Sequence, residues 1–217
     1  MPAARPFTPS TRHVQLLRAL VAAIAALMVT FSPDHSAIVG LPIFSGWAVA
    51  TALALGLGAW MVAPAGERAV PVLLAVVYLA AGMVAGIAPL RGPLLYFVLV
   101  PLWAFVAGVL ETGLGVARRR RGDGDGARDA LTVGVLTLVV AAATLVVPAD
   151  YVLDYYIEDA GQAFTLTGEI IAVGLFGGYA AIVAVFLAIA GLSPDAPRQT
   201  AAAPISEAEP RIPEERP

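Results

Sequence analysis

The chain has no cysteine, no lysine and only two histidines, and just 13% of its residues are charged. Each scarcity excludes something. Without cysteine there is no disulfide, no thiolate metal site and no cysteine nucleophile. His13 and His35 lie too far apart for a local His-rich metal motif. All 13 basic residues are arginine, and 16 acidic ones bring the net charge to −3, which argues against a nucleic-acid partner. No cofactor is implied by any motif. Soluble domains carry about 25% charged residues, nearly twice the share found here. Apolar residues fill the difference: they make up 59% of the 217 residues, with a mean hydropathy of +0.82.

These apolar residues are grouped in long runs. Hydrocarbon about 30 Å thick needs roughly 20 of them per helix, and six runs qualify: 14–31, 37–62, 69–88, 94–117, 130–147 and 168–192. They are bounded by Pro33, Pro64, Pro89, the cluster Arg118, Arg119, Arg120 and Arg121, and Pro148. Proline cannot continue a helix, and clustered arginine does not enter hydrocarbon cheaply. Barrel strands would be shorter and would alternate apolar with polar residues. The expected class is therefore an all-α integral membrane protein with six transmembrane helices in residues 14–192. An N-tail at 1–13 precedes them, and a disordered tail rich in Pro, Glu and Arg follows at 193–217. The first run lacks a small-x-small cleavage site followed by a polar start, so it is expected to remain as a span.

Orientation follows from arginine. Six spans put the N-tail, the 63–68 and 118–129 loops and the C-tail on one side, with twelve arginines when Arg18 near the start of the first span is counted there, against Arg91 alone on the other. The positive-inside rule then predicts both termini in the cytoplasm of a bacterial inner membrane. The arginine cluster at 118–121 reads as a topology anchor against anionic lipid headgroups.

Landmarks repeat along the chain. Pro33 precedes Trp47-Ala48 by fourteen residues, and Pro89 precedes Trp103-Ala104 by the same fourteen, an offset of 56. Pro148 and Tyr179-Ala180 make a looser third copy, with 17 extra residues in the outer loop. The pattern predicts three pseudo-repeated helix hairpins around an axis along the membrane normal. These repeats, the Trp-Ala pairs and the stretch Gly108-Val109-Leu110-Glu111 resemble the HdeD-like acid-resistance membrane proteins over residues 14–192. The resemblance implies a membrane protein of the acid or envelope stress response.

Several residues stand out as candidate sites. Glu111 lies inside the fourth run, seven residues before Arg118, hence roughly 10 Å inward. Intramembrane carboxylates generally face a partner or a cavity. Arg18 enters the first run at comparable depth and is the expected partner. Asp150, Asp154 and Glu158, spaced by four, would share one face of a helical turn in the last outer loop. Such a stripe would lose charge as external pH falls toward the ordinary carboxyl range near 4. His35, beside Asp34, is a further pH-responsive candidate. Small residues recur every four positions: Gly82 and Gly86, Gly174 and Gly178, and the stripe Gly46, Ala50, Ala54, Gly58. Close helix packing explains them, with homo-oligomer contacts as the alternative.

No histidine lies within a span, and no Gly-rich Ser/Thr-Lys phosphate loop is present. The expectation is a non-enzymatic membrane protein of HdeD-like type. The alternative is a small transporter or channel that uses Glu111 as an intramembrane proton or ion site.

Overall fold

Each apolar run folds into one helix, and the chemistry between the runs decides where each helix stops. The computed structural model describes residues 10–193. The tails expected at 1–13 and 193–217 lie outside the described residues except for their inner ends. The helices are α1 (Thr11–Thr30), α2 (Ala37–Met61), α3 (Ala69–Gly86), α4 (Pro93–Arg120), α5 (Gly124–Val146) and α6 (Gly168–Leu192). All six are long and apolar enough to cross a membrane, which makes this a multi-pass membrane protein.

Side chains satisfy the backbone groups left over at helix ends. Arg68 donates to the carbonyls of Ala63 and Trp60 at the end of α2, and Arg91 to those of Ala85 and Gly86 at the end of α3. The Glu169 carboxylate accepts from the Ala37 N–H at 2.7 Å, so the start of α6 caps the start of α2. The 118–129 segment, expected as a loop, is mostly helical. α4 runs on to Arg120, and α5 begins at Gly124 with the Asp123 carboxylate capping Gly126 N–H at 3.0 Å.

The outer loop differs from expectation in kind. Instead of a helical turn carrying Asp150, Asp154 and Glu158, the chain forms an antiparallel hairpin, β1 (Val152–Ile157) with β2 (Gln162–Thr167). Val152 pairs with Thr167, Asp154 with Thr165 and Tyr155 with Phe164, and the β-branched and aromatic residues among them suit a pleated surface. Tyr155 stacks on Phe164 at 5.8 Å. Gly161 ends the turn at φ +62°, a conformation open to glycine.

The six helices form a closed ring in which each packs on its neighbours in sequence and α6 returns to α1. Packing alternates. The extensive contacts are α2 with α3, α4 with α5 and α6 with α1. Glycine permits each of these close approaches. At Gly82 of α3, the Ser45 hydroxyl of α2 donates to the carbonyl oxygen at 2.7 Å. A methyl group on Gly134 of α5 would run into Thr112 of α4, and one on Gly177 of α6 would meet Val29 of α1. By contrast, Gly174, Gly178 and Gly46 have open space before them. The sequence pattern alone does not separate the glycines that carry packing from those that do not.

In the centre, α2 touches both α4 and α6, and their aromatic side chains meet there. Trp47 and Trp103 stand edge to face at 5.1 Å, and Tyr179 lies 6.0 and 6.1 Å from them. Phe44 and Phe176 complete the layer. Such pairs contribute about 0.5–1.5 kcal/mol each beyond simple burial.

The glycine contacts make a paired prediction. Gly134→Leu overpacks the α4–α5 contact and should lower stability by about 1–3 kcal/mol. Gly178→Leu, in open space, should stay within about 0.5 kcal/mol of the parent. Thermal unfolding in detergent micelles compares the two, and equal losses would contradict the packing described.

Candidate functional site

The site is built from helix interiors. Arg18 lies about two turns into α1, and Glu111 lies nine residues before the end of α4. In the ring these two helices are not neighbours, yet their side chains meet across the bundle. Arg18 Nη2 donates to Glu111 Oε1 at 2.6 Å, with the carboxylate side chain 3% exposed and the guanidinium 13%. A buried charge without a partner costs several kcal/mol, so each group at this depth requires the other.

One oxygen and one nitrogen of the pair are left over. Glu111 Oε2 and Arg18 Nε are buried without a hydrogen-bond partner, as are Thr51 Oγ1 and Trp103 Nε1. Tyr179 and Thr137 share a hydrogen bond at 2.8 Å, and Thr137 also donates to the Val133 carbonyl. The Tyr78 hydroxyl, also buried without a hydrogen-bond partner, borders the same inner space as Arg18, Thr51 and Tyr179. Every helix thus contributes a polar side chain to one interior cluster: Arg18, Thr51, Tyr78, Glu111, Thr137 and Tyr179. The aromatic layer of Phe44, Trp47, Trp103 and Phe176 bounds it.

The cluster is reached from one end. Where α1 starts, α2 ends and α4 meets α5, a cavity of about 330 Å³ opens between the helices. Arg18 and Glu111 line it, and Arg18 also borders the deeper set of Thr51, Tyr78 and Tyr179. The walls are apolar, from Val14, Leu55, Leu74, Leu114 and Val133. The rim is charged. Asp129 accepts from the Gln15 amide, Arg118 Nε lies 4.0 Å from Asp123, and Arg121 lies 3.0 Å from Glu67. These exposed rim pairs contribute about 0–1 kcal/mol each. The interior pair, far less exposed than these, dominates the electrostatics.

The other candidates lie elsewhere. Asp150 is exposed in the turn after α5, Asp154 accepts from the Thr165 hydroxyl across the hairpin at 2.6 Å, and Glu158 sits in the hairpin turn. They form no helical stripe, because the strands run where that helix would have been. His35 is half-buried in the loop between α1 and α2; the adjacent Asp34 carboxylate accepts from the Ser36 N–H and hydroxyl. Arg119 and Arg120 are exposed, and Arg118 and Arg121 make the rim pairs above. Among the described residues, no group of three or more His, Asp or Glu could hold a metal ion.

Sequence reasoning missed Gln15, Tyr78 and Asp129. Gln15 lies three residues before Arg18, on the same helix face, which is a readable signal. Tyr78 gave none, because a tyrosine within an apolar run reads as core. No protein family, curated protein or solved structure matches the chain.

A double-mutant cycle tests the interior pair. Glu111→Leu alone leaves the Arg18 charge in the bundle. A fully buried broken pair costs about 3–5 kcal/mol. Arg18 retains access to the cavity, so the expected loss is smaller. Adding Arg18→Met should recover part of it, with a coupling above about 0.5 kcal/mol in thermal unfolding. Strictly additive losses would mean the two groups do not act as a pair.

Proposed function

We propose that this chain is a non-enzymatic bacterial inner-membrane protein of the HdeD-like type, acting in acid or envelope stress with both termini cytoplasmic. Three pseudo-repeated hairpins account for its architecture. The observation that carries the reading is the convergence of Trp47, Trp103 and Tyr179 in one aromatic cluster. Equivalent positions in three repeats about a membrane-normal axis would meet in this way. The twelve-to-one arginine split supports the orientation. Deleting the gene should reduce survival at low external pH, and a restored copy should recover it. Unchanged survival would contradict the stress role.

The cavity favours a second reading, a small transporter in which Glu111 takes up and releases a proton or ion. Transport sites lie near the bilayer midplane, where polar groups from several helices converge. Arg18, Tyr78, Glu111, Thr137 and Tyr179 supply such a convergence. In proteoliposomes carrying a pH-sensitive dye, the parent protein should pass protons and Glu111→Gln should not. Equal flux from both proteins would remove Glu111 from the pathway.

A further inference from the structure

We infer that the cavity ending at Arg18 and Glu111 is a binding site for a zwitterionic α-amino acid with an apolar side chain. The juxtaposition that assigns it is a guanidinium and a carboxylate side by side within an apolar-walled cavity of about 330 Å³.

The lining sorts the ligand classes. Small-molecule sites run from about 300 to 1,000 Å³ and combine apolar walls with a few placed polar groups. This cavity falls at the small end, the size for a single compact molecule. Glu111 is 2% exposed, lines the cavity and keeps Oε2 as an acceptor without a donor. Arg18 lines the same cavity and keeps Nε as a donor without an acceptor. An uncharged apolar solute would displace water from the Arg18 guanidinium and the rim carboxylates without replacing its hydrogen bonds, which costs more than the contacts it offers. A simple anion would face Glu67, Glu111, Asp123 and Asp129. A simple cation would face the guanidiniums of Arg18 and Arg118.

A molecule with an ammonium and a carboxylate on one carbon meets both demands at once. Its ammonium donates to the Glu111 carboxylate at the inner end of the cavity, and the excess of carboxylates around the cavity supports that end. Its carboxylate accepts from the Arg18 guanidinium in a charge-assisted bond. Its side chain lies against Leu55, Leu74, Leu114 and Val133, where burial contributes roughly 25 cal/mol per Å². Entry is from the arginine-rich end, past Gln15 and Asp129. The inference rests on the transport reading only in sharing Glu111 with it. Binding at equilibrium requires no passage across the bilayer, so a protein that binds and does not transport refutes transport alone.

The test is calorimetric titration of the full chain in lipid nanodiscs with leucine, methionine and phenylalanine. At least one should saturate at or below millimolar concentration. The amine and the acid that each lack one charged group of the best binder (phenethylamine and hydrocinnamate, for phenylalanine) should bind about tenfold more weakly or worse. Ala130→Phe, which fills the cavity from α5, should abolish binding. The titrations on the unaltered chain decide the matter even if that variant folds poorly. Three results would overturn the inference: no saturation by any of the three amino acids, a single-charge analogue binding as tightly as its parent, or full binding by folded Ala130→Phe.

Discussion

The ion pair between Arg18 and Glu111 constrains the rest of the molecule, because neither charge can sit alone at that depth. Desolvating one ion costs several kcal/mol even after relaxation, and in the low-dielectric interior only a close opposite charge offsets it. The 2.6 Å contact joins α1 to α4, which stand apart in the ring. A bond between such helices fixes the bundle's diameter at that level. Neighbouring helices must then leave room around it, and the cavity on its outer side and the polar cluster on its inner side occupy that room.

Two other features fit around this constraint. Glycine lets the pairs α2–α3, α4–α5 and α6–α1 approach closely, where lipid offers no hydrophobic force to drive helices together. The looser contacts between these pairs leave space that the large aromatic rings of α2, α4 and α6 fill. The aromatic layer in turn closes the polar cluster on the side away from the cavity. An interior open at one end and sealed in the middle follows from this division between tight pairs and bulky centre.

Much of this was legible in the sequence. Run length and the prolines located the six helices, since hydrocarbon thickness and the missing proline N–H leave little freedom. Counting residues inward from Arg118 put Glu111 at a depth where Arg18 was the available partner. Other features could not be read. Whether Gly134 or Gly178 faces a neighbour depends on how each helix is rotated, and in a chain so uniformly apolar no polar face reports that rotation. The hairpin at 152–167 is hidden by the four-residue spacing of Asp150, Asp154 and Glu158, which points to a helix, while the β-branched and aromatic residues between them carry the strand signal. Tyr78 joined the site unannounced, because only the assembled bundle brings it beside Arg18, Thr51 and Tyr179.

A cavity that opens at the arginine-rich end and stops at Arg18 and Glu111, with the aromatic layer beyond them, is what the rest depends on. Because the chain has no native cysteine, single-cysteine variants read accessibility one position at a time. Labelling with a membrane-impermeant thiol reagent in vesicles of both orientations compares three of them. Arg120→Cys is an exposed reference, Leu114→Cys lies in the cavity wall, and Ala172→Cys is buried toward the opposite end. The structure predicts that Leu114→Cys reacts only from the side on which Arg120→Cys reacts, and that Ala172→Cys reacts from neither. Labelling of Leu114→Cys from the opposite side, or of Ala172→Cys from any side, would contradict it.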